Sequence, residues 1–168
     1  MGFIVNEWRE NLNHKSNAKE ALRRIAIEIE QNHVQAEKKQ KYYKSMISAL
    51  DSLIAANGIG HFNTRLIKGF RGLNPPLLTS SSYKTASTMG VFNYIDFETA
   101  DHISKVYLLQ DELQKSSSMA INSMISGELL NYRSFKLVFI IFNDFLAGLV
   151  VSYENVLSKN LKDYVSTN

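Results

Sequence analysis

Four histidines and the carboxylates near them are the residues of this 168-residue chain whose types first suggest chemistry. Glu30 and His33 have the Glu-x-x-His spacing, which places a carboxylate and an imidazole on one face of a helix. Bundles that hold two metal ions use two such motifs and two further Glu residues. Around His102, Glu98 and Asp101 form only an imperfect second motif, so the pattern favours surface residues over a metal site. The four histidines are His14, His33, His61 and His102.

No nucleophile and no phosphate-binding loop is indicated by the sequence. Cysteine is absent, which excludes a thiolate nucleophile and a disulfide scaffold. No Gly-x-Ser-x-Gly elbow occurs. The stretches Gly58–Gly60 and Gly69–Gly72 lack the spacing of a phosphate loop or a dinucleotide-binding turn. We therefore predict no catalytic residue, no cofactor and a protein that is not an enzyme.

Asp144 is the leading candidate for binding a cation or a hydrogen-bond donor. It lies inside the most apolar stretch of the chain, Leu137–Val151, which is expected to be buried. A buried carboxylate without a partner is costly. We predict that Asp144 is partly buried and bonded to Lys39 first, or else to a ligand cation. The alternative is that Asp144 lies on a narrow wet stripe of its helix. The further candidate partners of Asp144 are Asn32, His33 or a tyrosine hydroxyl. The candidate ligand-binding residues are therefore Asp144, Lys39, Asn32 and His33.

Helical periodicity over three long segments must position these residues. Turn residues are scarce, since the only prolines are Pro75 and Pro76 and five of the eight glycines fall between positions 58 and 90. This distribution excludes a sandwich or barrel, which needs turns about every 8–12 residues. We predict an all-α protein, an elongated up-and-down bundle of three long helices plus short helices in residues 62–90. The segments expected to be mostly α-helical are 18–55, 97–125 and 135–163.

The chain is expected to form a single helical-bundle domain over residues 1–168. The first long helix has a heptad seam of apolar residues, in which Asn32 and Lys39 are the polar exceptions, and Asn57-Gly58 is a fitting stop for it. The apolar seam residues are Leu22, Ile25, Ile29, Ala36, Tyr43, Met46, Leu50 and Leu53. Residues 57–96 form an irregular connection that follows this helix. Asn11–Asn17 is rich in residues that compete with helix formation, and it is expected to interrupt any helix that begins earlier.

Positive charge is concentrated in the first part of the chain. Residues 1–71 have 12 Lys and Arg against 7 Asp and Glu, whereas residues 72–168 have 7 against 9. The only candidate basic patch is the cluster Lys38, Lys39, Lys41 and Lys44, and its alternative interpretation is a solvated helix face. A nucleic-acid binder usually has a denser basic face, so nucleic acid is not the expected partner.

No segment is expected to cross a membrane. Leu137–Val151 is shorter than the ~20 apolar residues that a spanning helix needs, and it contains Asn143 and Asp144. It is better explained as part of the central helix of a soluble bundle.

Two stretches resemble a known family. The first is Asn6-Glu7-Trp8-Arg9-Glu10 with the helix ALRRIAIEIEQNHVQAEKKQKYYKSMISALDSLI, and the second is LLTSSSYKTASTMGVFNYIDFETADHISKVYLLQDEL, residues 77–113. They are similar to a widespread, uncharacterised family of bacterial proteins in which one N-terminal membrane helix leads into a helical domain. The resemblance implies a membrane-tethered, extracytoplasmic (periplasmic) module, with residues 1–16 as the juxtamembrane segment. The chain departs from the family pattern by lacking the membrane helix, and the family has no established catalytic residues.

These observations lead to two functional hypotheses of different classes. The first is a non-enzymatic sensing or interaction domain, tethered to a membrane, that binds a protein or small ligand and could self-associate. The alternative is a cytoplasmic helical bundle that binds a protein or nucleic acid through the Lys38–Lys44 face. A metal-dependent bundle enzyme is a third and less favoured class.

Overall fold

Helices account for 83% of the chain, and the predicted all-α class is confirmed because the described residues contain no strand. The structure is a computed structural model that describes residues 2–58, 63–126 and 131–165, except for the side chains of residues 2–12 and 64. The α-helices are α1 (Gly2–Asn57), α2 (Ser81–Thr88), α3 (Phe97–Ile125) and α4 (Tyr132–Lys159). Short 3₁₀ helices cover Thr64–Leu66, Val91–Tyr94 and Lys162–Tyr164.

The helix bounds differ most from the predicted ones at the start of α1 and at the end of α4. Helix α1 runs for 56 residues without a break through Asn11–Asn17, so the predicted interruption is wrong. Asn, Ser and His each disfavour a helix by only about 0.5 kcal/mol, and such a cost does not stop a helix that is already propagating. Helix α4 ends at Lys159, and the chain then turns into a 3₁₀ helix around the buried Leu161.

Two compact units divide the chain. The first comprises residues 1–33, 79–108 and 152–168, and the second comprises residues 34–78 and 109–151. Helices α1, α3 and α4 therefore each contribute residues to both units. The single domain expected over the whole chain stays a prediction.

The core of the first unit comes from all four α-helices, from the 3₁₀ helix Val91–Tyr94 and from Leu161. Helix α1 buries Ile25 and Ile29 completely, and α3 buries Ile103. The rings of Tyr83 on α2 and Tyr107 on α3 stack with centroids 4.3 Å apart. Further buried apolar residues of this unit are Ala18, Leu22, Ala26, Ala86, Val91, Val106, Tyr153, Val156 and Leu161.

The core of the second unit is an aromatic cluster between α1 and α4. The ring of Tyr43 lies 5.3 Å from that of Phe139, and Phe139 lies 5.4 Å from Phe135. Phe70, from the connection after α1, lies 5.6 Å from Phe135. Edge-on contacts of this kind are the geometry that aromatic rings prefer in cores. The predicted seam is thus confirmed where α1 buries Tyr43, Met46 and Leu50.

Helix α4 is long and apolar enough to cross a membrane by length and composition alone. Its most apolar 18-residue window has a mean hydropathy of 1.9, and 28% of that window is buried. The sequence argument considered only Leu137–Val151, which is shorter than the helix. Core helices of soluble proteins have the same composition but are mostly buried, whereas α4 buries one face. That face comprises Phe135, Phe139, Phe142, Leu146 and Leu149.

Candidate anion-binding site

Lys39 occupies a seam position of α1 where an apolar residue would be buried. The seam residues on either side, Ala36 and Tyr43, are fully buried. Lys39 is only half-buried, and its Nζ lies 5.3 Å from the centroid of the Tyr42 ring. A cation over an aromatic face is attracted by the negative face of the ring. The stem of Lys39 is therefore held on α1 while its ammonium group points to the edge of the seam.

Two tyrosine hydroxyls hold the connection after α1 against that helix. The Tyr42 hydroxyl donates to the carbonyl oxygen of Gly72 (2.8 Å) and accepts from the backbone N–H of Arg71 (3.0 Å). The buried Tyr43 hydroxyl donates to the carbonyl oxygen of Leu73 (2.9 Å). Residues 71–73 are thereby placed beside α1, and Arg71 is brought to Lys39 although 32 positions separate them in the sequence.

The side chains around Lys39 line an open cavity of about 220 Å³, whose other cations, Lys38 and Arg71, are exposed. Two elements form its walls, namely the second half of α1 and the connection that follows it. All of the lining residues belong to the second unit. They are Gln35, Lys38, Lys39, Tyr42, Arg71 and Asn74.

The three cations of this cavity have no acidic partner. Among the described residues, no carboxylate lies within ion-pair distance of Lys38, Lys39 or Arg71. Burial, together with the nearby Arg71 guanidinium, lowers the pKa of Lys39. Residues 34–78 contain seven Lys and Arg against two Asp and Glu. The cavity therefore has an uncompensated positive charge, which a bound anion would neutralise.

A larger cavity beside α2 differs in its charge. It has a volume of about 400 Å³ and lies between the first part of α1 and the residues Ser81–Met89. Its cation Arg24 is paired with Glu20, because Nε lies 3.0 Å from Oε1. The positive charge of Arg24 is thus compensated within the protein, so this cavity has less reason to bind an anion than the cavity beside Lys39.

Asp144 does not meet the expectation of burial. It is exposed on α4, and its Oδ1 accepts from Nδ2 of its neighbour Asn143 at 3.3 Å. The described residues include no ion pair between Asp144 and Lys39, so that predicted pair is wrong. The physical reason is that α4 leaves a stripe exposed although the stripe is largely apolar: Leu137, Ile141 and Val151 also face solvent.

Asn32 is a buried polar residue of the seam, and the protein itself supplies its hydrogen-bond partners. Its Nδ2 donates to the carbonyl oxygen of Thr79 (2.7 Å), and its Oδ1 accepts from the N–H of Thr79 (2.9 Å). The side chain thus replaces a backbone partner for a residue in the connection before α2. This amide serves the fold, and nothing in its geometry indicates a ligand.

His33 lies beside Glu154 rather than near any of its predicted partners. Its Nε2 is 3.5 Å from Oε1 of Glu154, and its ring meets the edge of Tyr153 at 6.4 Å. Glu30, the other half of the Glu-x-x-His motif, is exposed. Within the described ranges, no three His, Asp or Glu side chains come together as a metal site. His61 lies outside those ranges.

Glu28 is a buried carboxylate that sequence reasoning missed. It accepts from the hydroxyls of Tyr107 (2.6 Å) and Ser81 (2.9 Å) and from the N–H groups of Ser82 (2.9 Å) and Tyr83 (3.4 Å). Burial alone would raise the pKa of Glu28, but these hydrogen bonds outweigh it and hold the pKa below its usual range. Glu28 thus caps the first turn of α2 from another helix. Its signal was an acidic residue among Ile25, Ile29 and Asn32 on one helix face.

Arg71, Gln35, Tyr42 and Asn74 were also missed as parts of a site. The sequence singled out Lys39 as a misplaced seam residue and Lys38 as part of a basic cluster. Arg71 lies in an irregular connection, where no periodicity predicts its spatial neighbours. Comparison of the chain with known protein families, with curated proteins and with solved structures finds no match to any of them.

Proposed function

We propose that this chain is a binding domain that takes an anionic group of a ligand into the cavity formed by Lys38, Lys39 and Arg71. The supporting observation is the presence of three cations around one cavity without an acidic partner among the described residues. Lys39 is partly desolvated there, and its lowered pKa reflects both burial and the neighbouring Arg71. Binding an anion would relieve this repulsion.

Charge-assisted hydrogen bonds from ammonium and guanidinium groups to oxygen anions are about twice as strong as neutral ones. Arg71 offers a planar fork of donors, and the two lysines offer freely rotating ones. The Tyr42 hydroxyl is engaged with the backbone of residues 71 and 72, so its part is to position Arg71. The cavity is lined by cations, amides and a phenol, a set suited to binding. We therefore assign a non-enzymatic role.

The finer description of this role rests on the resemblance described above. In it, the domain senses a ligand or partner, is tethered by a membrane helix and faces the periplasm. We also propose the elongated up-and-down arrangement of three long helices predicted from the sequence, together with self-association. An apolar run of ~20 residues encoded before Phe3 would support the tether.

A cytoplasmic nucleic-acid- or protein-binding domain is the second candidate. Lys38, Lys41 and Lys44 are all exposed on α1, as a contact face for phosphates or acidic side chains requires. We favour the anion cavity because the half-buried Lys39 lines it together with Lys38 and Arg71, whereas Lys41 and Lys44 lie outside it on the exposed face.

The test is binding of inorganic phosphate to the full chain, followed by calorimetry and by thermal unfolding. Phosphate at ten times its dissociation constant should stabilise the protein by about 1.4 kcal/mol. The variant Lys39→Met should lose this effect, because it removes the half-buried cation.

The matched control is Lys44→Met, which removes the same charge from the same helix outside the cavity. It should bind phosphate as the unaltered protein does. Equal losses in the two variants, or no stabilisation of the unaltered protein by phosphate, would contradict the proposal.

A further inference from the structure

We infer that the anionic group taken by this cavity is a phosphate monoester, a tetrahedral dianion, rather than a carboxylate or a sulfate ester. The inference rests on the proposed function and specifies its ligand class. It follows from the charge of the cavity, the number of donors and the uncharged groups around it.

Charge is the first argument. Lys38, Lys39 and Arg71 contribute three positive charges to a cavity of about 220 Å³. A carboxylate or sulfate ester would neutralise one of them and leave two. A phosphate monoester has a charge between −1.5 and −2 near neutral pH, so it compensates most of the excess.

The number and position of the donors give the second argument. Lys38 and Lys39 approach from α1, whereas Arg71 approaches from the connection after it. The Arg71 fork takes one acceptor site on each oxygen of a carboxylate, so the two ammonium groups must share the same two oxygens with it. A phosphate monoester has three terminal oxygens, so two can face the Arg71 fork while the third is left to the ammonium groups.

Uncharged groups complete the lining of the cavity. Gln35 and Asn74 contribute primary amides to it, and an amide can either donate or accept a hydrogen bond. Tyr42 also lines the cavity, with the Lys39 ammonium group 5.3 Å from the centroid of its ring. Two sources provide this chemistry, namely a soluble phosphorylated small molecule and the headgroup of phosphatidic acid, and the experiment separates them.

The soluble arm uses three ligands of similar size at pH 7.5: phenyl phosphate, phenyl sulfate and benzoate. Calorimetry with the full chain should give a dissociation constant for phenyl phosphate about tenfold or more below those of the other two. Lys39→Met and Arg71→Gln should each weaken phenyl phosphate by about tenfold or more. Lys44→Met should change it by less than about twofold, since an exposed charge is screened by salt.

The lipid arm uses phosphatidylcholine vesicles with and without phosphatidic acid in a flotation assay. Binding to phosphatidic acid that is lost in Lys39→Met but kept in Lys44→Met would support the same headgroup chemistry with a lipid as its source. Arg71→Gln keeps the backbone N–H that bonds to Tyr42. Thermal unfolding of each variant without ligand checks that the fold is retained.

The outcomes separate the inference from the function on which it rests. If phenyl sulfate and benzoate bind as tightly as phenyl phosphate and still require Lys39, the phosphate-monoester class is wrong and the anion-binding function stands. If no anion binds, both are wrong. If Lys44→Met loses as much affinity as Lys39→Met, the exposed lysine face is the binding surface and the cavity is not.

Discussion

Replacing Glu28 by Gln tests whether the buried carboxylate organises the first unit. Glu28 is 4% exposed, and its two oxygens accept from the hydroxyls of Ser81 and Tyr107 and from two backbone N–H groups of α2. Gln has the same shape, so the substitution changes charge and hydrogen bonding without creating a cavity. One acceptor oxygen becomes a donor that faces existing donors.

The magnitude follows from the hydrogen bonds that are weakened. A hydrogen bond to a charged group contributes about 1.5–3 kcal/mol and one between neutral groups about 1 kcal/mol. Three of the four contacts are between 2.6 and 2.9 Å. Part of the loss is offset because Gln has no charge to desolvate. We therefore expect Glu28→Gln to lower the free energy of unfolding by about 2–3 kcal/mol.

Urea unfolding monitored by circular dichroism measures this loss. The matched control is Glu30→Gln, which removes an exposed carboxylate two residues along the same helix and should cost less than about 0.5 kcal/mol. The double variant with Tyr107→Phe should show a coupling of about 1 kcal/mol or more, because the two side chains share their shortest hydrogen bond. Equal stabilities of Glu28→Gln and Glu30→Gln, or a coupling near zero, would refute the reasoning.

Three further predictions concern stability. Asn32→Ala should lower the free energy of unfolding by about 2–3 kcal/mol, because it leaves both backbone groups of Thr79 without this partner. The matched control is Gln31→Ala at an exposed position, which should cost less than about 0.5 kcal/mol in the same urea assay. Asp144→Asn should change the free energy of unfolding by less than about 0.5 kcal/mol, because Asp144 is exposed. A loss of ~3 kcal/mol would instead indicate that Asp144 belongs to a buried ion pair. Because hydrogen bonds hold the folded-state pKa of Glu28 below its unfolded-state value, its stabilisation is present above the unfolded-state pKa and is lost as the pH falls through the folded-state pKa. Acid titration should therefore destabilise the unaltered protein more steeply than Glu28→Gln, and parallel curves would contradict this assignment.

The helices of this protein are largely determined by local sequence. The heptad spacing on α1 predicted the buried Tyr43, Met46 and Leu50, and Asn57 with Gly58 marked the end of that helix. Helix α2, at Ser81–Thr88, lies within residues 62–90, where short helices are predicted. These features depend on periodicity and backbone preference, which a single segment contains.

Tertiary structure decided which polar side chains are buried and which face solvent. Apolar neighbours on all sides predicted a buried Asp144, yet only one face of α4 is fully covered. How deeply a helix packs depends on the elements around it, so its own residues do not determine it. The burial of Glu28 required donors from α2 and α3, which lie more than 50 positions away in the sequence.

The candidate site was decided in the same way. The sequence marked Lys39 as out of place on an apolar seam, and a polar residue at such a position indicates that something covers or contacts it. Arg71 joins it only because the hydroxyls of Tyr42 and Tyr43 hold residues 71–73 against α1. Hydrogen bonds between a helix and an irregular connection follow no period, so a cavity built from them cannot be predicted from spacing. Helix propensity is a property of neighbours along the chain, whereas the charge of this cavity is a property of residues that meet only after folding.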